Sequence, residues 1–139
     1  MKDSIKMDWL SDMAFETEIN GHKLYLDASE NVGGKNLGPR PKPFMMLSLA
    51  GCAGMDVVSI LKKMRVSYEA LNISVEADLA EEHPKKYLGM KMIFTFKGKD
   101  LPMEKIEKAV NLSNDRYCGV SANYNEAFPV SHEIVLEDA

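Results

Sequence analysis

Only two cysteines, Cys52 and Cys118, occur among the 139 residues, too few to staple a small secreted scaffold. They form no Cys-x-x-Cys pair, and His22, His83 and His132 share no His-x-x-x-His spacing, so no metal site is expected. Basic residues are not in excess. Seventeen Lys and Arg against 21 Asp and Glu leave a formal charge of −4, which gives no attraction for phosphate backbones or anionic lipid. Neither nucleic acid nor a membrane is an expected partner. The opening "MKDSIKMDWLSDM" has no apolar run of signal-peptide length, and the longest nearly apolar stretch, Phe44 to Leu61, is interrupted by Ser48, Asp56 and Ser59. The expectation is a soluble cytoplasmic protein whose thiols stay reduced. "GGKNLGP" lacks the Gly-Lys-Ser/Thr ending of a phosphate loop and reads as flexible. No Ser, His and acid arrangement is suggested, and no cofactor is expected.

What is there suffices for one folded domain. Apolar residues make up 45% and charged residues 27%, which excludes a disordered chain. In "FETEINGHKLYLDAS" the Asn20-Gly21 pair lies between two alternating runs and predicts a tight hairpin. A strand near Ile5–Leu10, carrying Trp9, completes an amino-terminal meander over 1–29. Residues 30–43 collect Gly33, Gly34, Gly38, Pro39, Pro41 and Pro43 and form a loop. The core at 44–139 follows, its first helix expected from near Pro41 to about Met64, with Lys62, Lys63 and Arg65 suiting the negative end of the dipole. Two alternating segments, 71–82 and 87–98, predict an antiparallel pair. A second helix is expected from a cap at Asp100 to roughly Asp115, with Met103, Ile106 and Val110 on its apolar face. A short helical turn over 119–126 and a last strand over 129–137 complete an α+β fold with a mostly antiparallel sheet.

The first helix is apolar around nearly its whole circumference, through Met46, Leu47, Leu49, Ala50, Ala53, Met55, Val57, Val58, Ile60 and Leu61. A chain of this size can hardly bury such a helix alone, so a homodimer is expected. Cys52 lies among Ala50, Gly51, Ala53 and Gly54, where it reads either as a small core residue or as a thiol facing a narrow apolar pocket. Asp56, four residues on, would oppose a thiolate there unless paired. Cys118 follows Arg116 and Tyr117 and admits the same two readings. If the sulfurs meet, they can run a sulfenic acid and disulfide cycle; their spacing does not say whether they do. The ten methionines read first as core filler.

"GPRPKPFMMLSLAGCAGMDVVSILKK" and "EEHPKKYLGMKMIFTFKGKDLPMEKIEKAVNLSNDRYCGVSA" resemble the OsmC/Ohr family of small redox proteins, over about Gly33 to Val135. The resemblance implies an OsmC-like fold, with mostly antiparallel sheets around two long central helices in an intertwined homodimer. It also implies a thiol peroxidase acting on organic hydroperoxides in oxidative stress defence. Cys52 would be the nucleophile, Cys118 the resolving thiol, and an external dithiol, a lipoylated protein in some members, the reductant. Phe44, Met45, Met46 and Met55 would line the substrate pocket. Peroxidase branches carry a glutamate nine or ten residues before the first cysteine, where this chain has Pro43 and Lys42, and an arginine in the amino-terminal strands, whereas the first arginine here is Arg40. Arg40 or Lys42 is therefore the candidate activating charge. The rival expectation is a non-peroxidase dimer that binds a small apolar or thiol-reactive ligand at the subunit interface.

Overall fold

Asn20 and Gly21 both take positive φ, 51° and 81°, the geometry a two-residue turn between twisted strands demands. A computed structural model describes all 139 residues, and in it this turn joins β2 (Ala14–Ile19) to β3 (His22–Leu26) with Ile19 opposite His22. The preceding strand β1 (Met7–Ser11) pairs antiparallel with β2, giving the three-stranded meander that the alternation predicts. The residues group into two compact units, Met1–Met45 and Met46–Ala139, with the boundary close to the expected end of the Gly/Pro loop.

That loop is not the loose connection its composition suggests. The carboxylate of Asp27, 3% exposed, accepts the backbone N–H groups of Ala28, Lys35 and Leu37 at 2.7, 3.1 and 3.1 Å. The Asp27 N–H donates to the Pro39 carbonyl at 3.2 Å. Gly34 is required there, because a Cβ would stand 2.0 Å from the Ala28 carbonyl oxygen. A single turn of 3-10 helix, Glu30–Val32, lies within the loop.

The helix α1 runs from Phe44 to Lys63, all but its first two residues in the second unit. It starts three residues later than expected, because residues 41–45 are drawn into tighter turns, with the N–H of Phe44 donating to Pro41 O and that of Met45 to Lys42 O. Leu49, Ala53, Val57 and Leu61 form a fully buried stripe at four-residue spacing. Gly54 lets the sheet approach closely, since a Cβ on it would lie 2.7 Å from Ile73 Cδ1. The opposite face, including Leu47, Met55 and Val58, is exposed. By length and composition α1 could cross a membrane; its buried stripe packs in the core of the fold.

The second sheet has the order β4 (Ala70–Leu79), β5 (Tyr87–Lys97), β6 (Val130–Glu137). Met90, Met92, Phe94 and Phe96 alternate along β5 and are buried, as a sheet with one face on the core requires. Against the antiparallel β4–β5 ladder, β6 pairs parallel to β5, Phe94 opposite Ile134. With this one parallel ladder beside three antiparallel ones, the sheets are mostly antiparallel, as expected; residues 98–129, which contain two helices, carry the chain back to the other end of the sheet, as parallel pairing requires.

The first of these helices, α2, spans Met103–Leu112, with Ile106, Ala109 and Val110 buried. Its cap position is Pro102, which offers no side-chain bond; Asp100 sits two residues too early, at φ 50°. Met103 is exposed, so it is not part of the apolar face expected of it. The helix also ends sooner than the expected Asp115. From Ser113 to Tyr117 it widens into a π-type turn, before α3 (Gly119–Asn125).

Candidate functional site

The wide turn places Cys118. Its closing bond joins the Cys118 N–H to Ser113 O at 2.8 Å, five residues back rather than four, and the chain then leaves helical geometry at Cys118 with ψ 103°. Cys118 thereby becomes the first cap of α3, its sulfur accepting the Ser121 N–H at 3.3 Å. Ser121 Oγ in turn donates to Asn114 Oδ1 at 2.7 Å and accepts from Asn125 Nδ2 at 3.2 Å. Both Ser113 and Ser121 are buried, 1% and 0% exposed. Their hydroxyls have partners, which removes the cost of leaving them unpaired in the interior.

Facing this turn, α1 presents Cys52 and Asp56 on one side, four residues apart. The sulfurs of Cys52 and Cys118 and a carboxylate oxygen of Asp56 all lie within 4.8 Å of one another. Both cysteines are free thiols, Cys118 buried and Cys52 partly open. Asp56 is fixed by Ser113, whose Oγ donates to Oδ2 at 3.1 Å. Its partner is thus a neutral hydroxyl rather than a cation.

Burial first, and then the hydrogen bond and charge of Cys52, push the Cys118 thiol up to about 11, against the smaller opposing pull of the Ser121 and Val120 amides. Cys118 is therefore protonated at neutral pH. Tyr124 is raised as well, by burial and then by the Cys118 and Tyr87 charges. The three donor atoms of Cys52, Asp56 and Cys118 are also the residues here that could hold a metal ion, an arrangement that sequence spacing could not reveal because Cys118 comes from another element.

Beside Asp56 opens a cleft of about 410 Å³, lined by Asp56, Ser59, Ile60, Lys63, Met64, Leu112 and Tyr117. None of these is among the lining residues expected from the sequence. Of the expected lining residues, Phe44, Met45 and Met46 are half-buried, while Met55 is exposed. Arg40, a candidate activating charge, donates from Nη1 to Asn36 Oδ1 at 2.8 Å and to Gly38 O at 3.0 Å, and its charge acts on Asp27. Lys42 is exposed.

The sequence motifs and this fold have relatives. Residues 33–133 match the family model described as OsmC-like protein. The chain belongs to the OsmC-like family. Protein YhfA of Escherichia coli K12 is 29% identical over 128 residues, covering 91% of this chain and 92% of YhfA. A hypothetical protein from Aquifex aeolicus VF5 superposes with a TM-score of 0.82 at 25% identity, over 99% of this chain and 98% of that one. An organic hydroperoxide resistance protein from Legionella pneumophila shares the fold with a TM-score of 0.67 at 17% identity, over 99% and 97% of the two chains. The α+β architecture is thus the OsmC-like fold.

Proposed function

We propose that this OsmC-like protein is a cysteine-based peroxidase that reduces organic hydroperoxides in oxidative stress defence. The observation that carries the reading is the approach of the Cys52 and Cys118 sulfurs, from separate elements, to within 4.8 Å. Membership of a family with a hydroperoxide resistance protein among its structural neighbours supports the same chemistry.

Their exposure supports the roles given to the two sulfurs. Cys52 is the partly open sulfur and Cys118 the buried, protonated one, so Cys52 attacks and Cys118 resolves. The Cys52 thiolate forms a bond to the terminal peroxide oxygen, the O–O bond breaks, and the alkoxide leaves as an alcohol after taking a proton. Cys52 is left as a sulfenic acid. Cys118 condenses with it, releasing water and forming the disulfide, which an external dithiol, such as a lipoylated protein, returns to two thiols. Phe44, Met45, Met46 and Met55 remain the proposed apolar lining for a bulky substrate, and Arg40 and Lys42 the proposed positive charges. The protein works as a homodimer in the cytoplasm, with the exposed apolar side chains of α1 covered by a second copy.

Reduced protein mixed with cumene hydroperoxide should lose two thiols per chain rapidly, and Cys52→Ser should abolish the loss. Thiols that persist under excess peroxide would refute the assignment.

A further inference from the structure

We propose that Asp56 is the proton relay for closure of the Cys52–Cys118 disulfide, taking the proton from Cys118 and passing it to the hydroxide that leaves Cys52. The inference rests on the redox pairing proposed above and concerns its second step. That step poses a problem which the surroundings make acute. Cys118 must lose a proton to become a nucleophile, yet it is 2% exposed, so bulk water is not at hand to take it. The sulfenic acid on Cys52 must meanwhile expel hydroxide, a poor leaving group unless it is protonated. One base that becomes an acid solves both difficulties.

Asp56 is placed to be that group. A carboxylate oxygen lies within 4.8 Å of both sulfurs, a separation that a single intervening water spans. Ser113 holds the carboxylate through its hydroxyl and holds Cys118 through its carbonyl, so one buried residue fixes donor and acceptor together. Asp56 also lines the cleft shared with Lys63 and Tyr117, which gives the proton an exit toward solvent. The other groups around Cys118 cannot substitute. Ser121 meets the sulfur with an N–H, and Tyr124, which feels Cys118 and Tyr87, holds its proton more tightly than usual. No histidine joins Cys52, Asp56 and Cys118 in the cluster.

The step balances without another reagent. The Cys118 S–H bond breaks and its proton goes to Asp56; the S–S bond forms as the Cys52 S–O bond breaks. The departing hydroxide takes the proton from Asp56 and leaves as water. The Cys118 sulfur is oxidised, the Cys52 sulfur reduced, and Asp56 ends with the protons it began with. Placing the acid beside a thiol, unhelpful for holding a thiolate, is what proton transfer to and from sulfur requires.

Closure can be tested apart from peroxide. Full-length reduced protein treated with Ellman's reagent should release one nitrothiobenzoate as Cys52 forms a mixed disulfide and a second as Cys118 closes on it. In Asp56→Asn the second release should slow about tenfold or more at pH 7, with the deficit shrinking as the pH approaches about 11, where Cys118 ionises unaided. Asp56→Glu should restore part of the rate. With cumene hydroperoxide, Asp56→Asn should accumulate a sulfenic acid that dimedone traps. A second release as fast as in the parent at pH 7, or one slowed equally at every pH, would overturn the relay. Ser113→Ala, which keeps Asp56 but frees it, should slow closure with the parent's pH shape and serves if Asp56→Asn does not fold. Normal dependence of closure on Asp56 in a protein inert to peroxide would remove the peroxidase reading and leave the relay standing.

Discussion

Asp27 and Cys118 are both buried, yet their proton equilibria move in opposite directions because their neighbours differ. Burial alone would raise the Asp27 carboxyl, but the amides of Leu37, Ala28 and Lys35 and the charge of Arg40 outweigh it and hold the group below its ordinary value. The unfolded chain therefore takes up this proton first. The stabilisation is complete above an unfolded value of about 3.9 and is lost as the pH falls through the lower folded one. Melting curves between pH 6 and 2 should show Asp27→Asn well below the parent at pH 6, with the gap closing in acid; a constant gap would contradict the ionic role. Cys118 behaves inversely. Its folded value, about 11, exceeds the unfolded thiol's ~8.5, so its contribution is intact below that and fades as the pH rises through the folded value. Neither residue's surroundings could be read from the chain. Cys118 was legible as a candidate thiol, and Ser113 as a candidate position on the face of the second helix, but no local pattern paired Ser113 with Asp56.

Among the elements, α1 carries two faces with the same apolar composition and different fates. Leu49 is fully buried and Leu47 is 63% exposed. Leu49→Ala should cost about 2–5 kcal/mol in denaturant unfolding, as lost burial plus a residual cavity. A cost near zero would mean that the stripe is not part of the core. Periodicity found this helix, the hairpin at Asn20-Gly21 and both long strands, because each rests on local turn geometry or side-chain alternation. It left two things unspecified. The direction of β6 is set by where residues 98–129 return the chain, and the widening at Ser113–Tyr117 depends on a bond to the Cys118 amide. The Gly/Pro loop also carries hydrogen bonds that its composition does not announce, since they come from the carboxylate of Asp27, outside the loop.

For the whole molecule, the outward face of α1 is the observation behind the proposed dimer. Leu47, Met55 and Val58 are 63%, 77% and 44% exposed in a single chain, and a long helix with such a face gains stability by association with a second copy. Sedimentation at micromolar concentration should give a particle of twice the chain mass, and Met55→Lys with Val58→Lys should shift it toward the single-chain mass. A parent protein that sediments as a folded single chain would contradict the dimer. The sequence by itself determined the order of elements, the α+β class, the family and the identity of the two thiols, because hydrophobic period, turn residues and local motifs are properties of neighbouring positions. Only the tertiary structure decided that Cys52 and Cys118 meet, that Asp56 stands between them and a cleft, and that Asp27 knits the loop. Those facts arise from burial and hydrogen bonding between residues far apart in the chain, which no local pattern records.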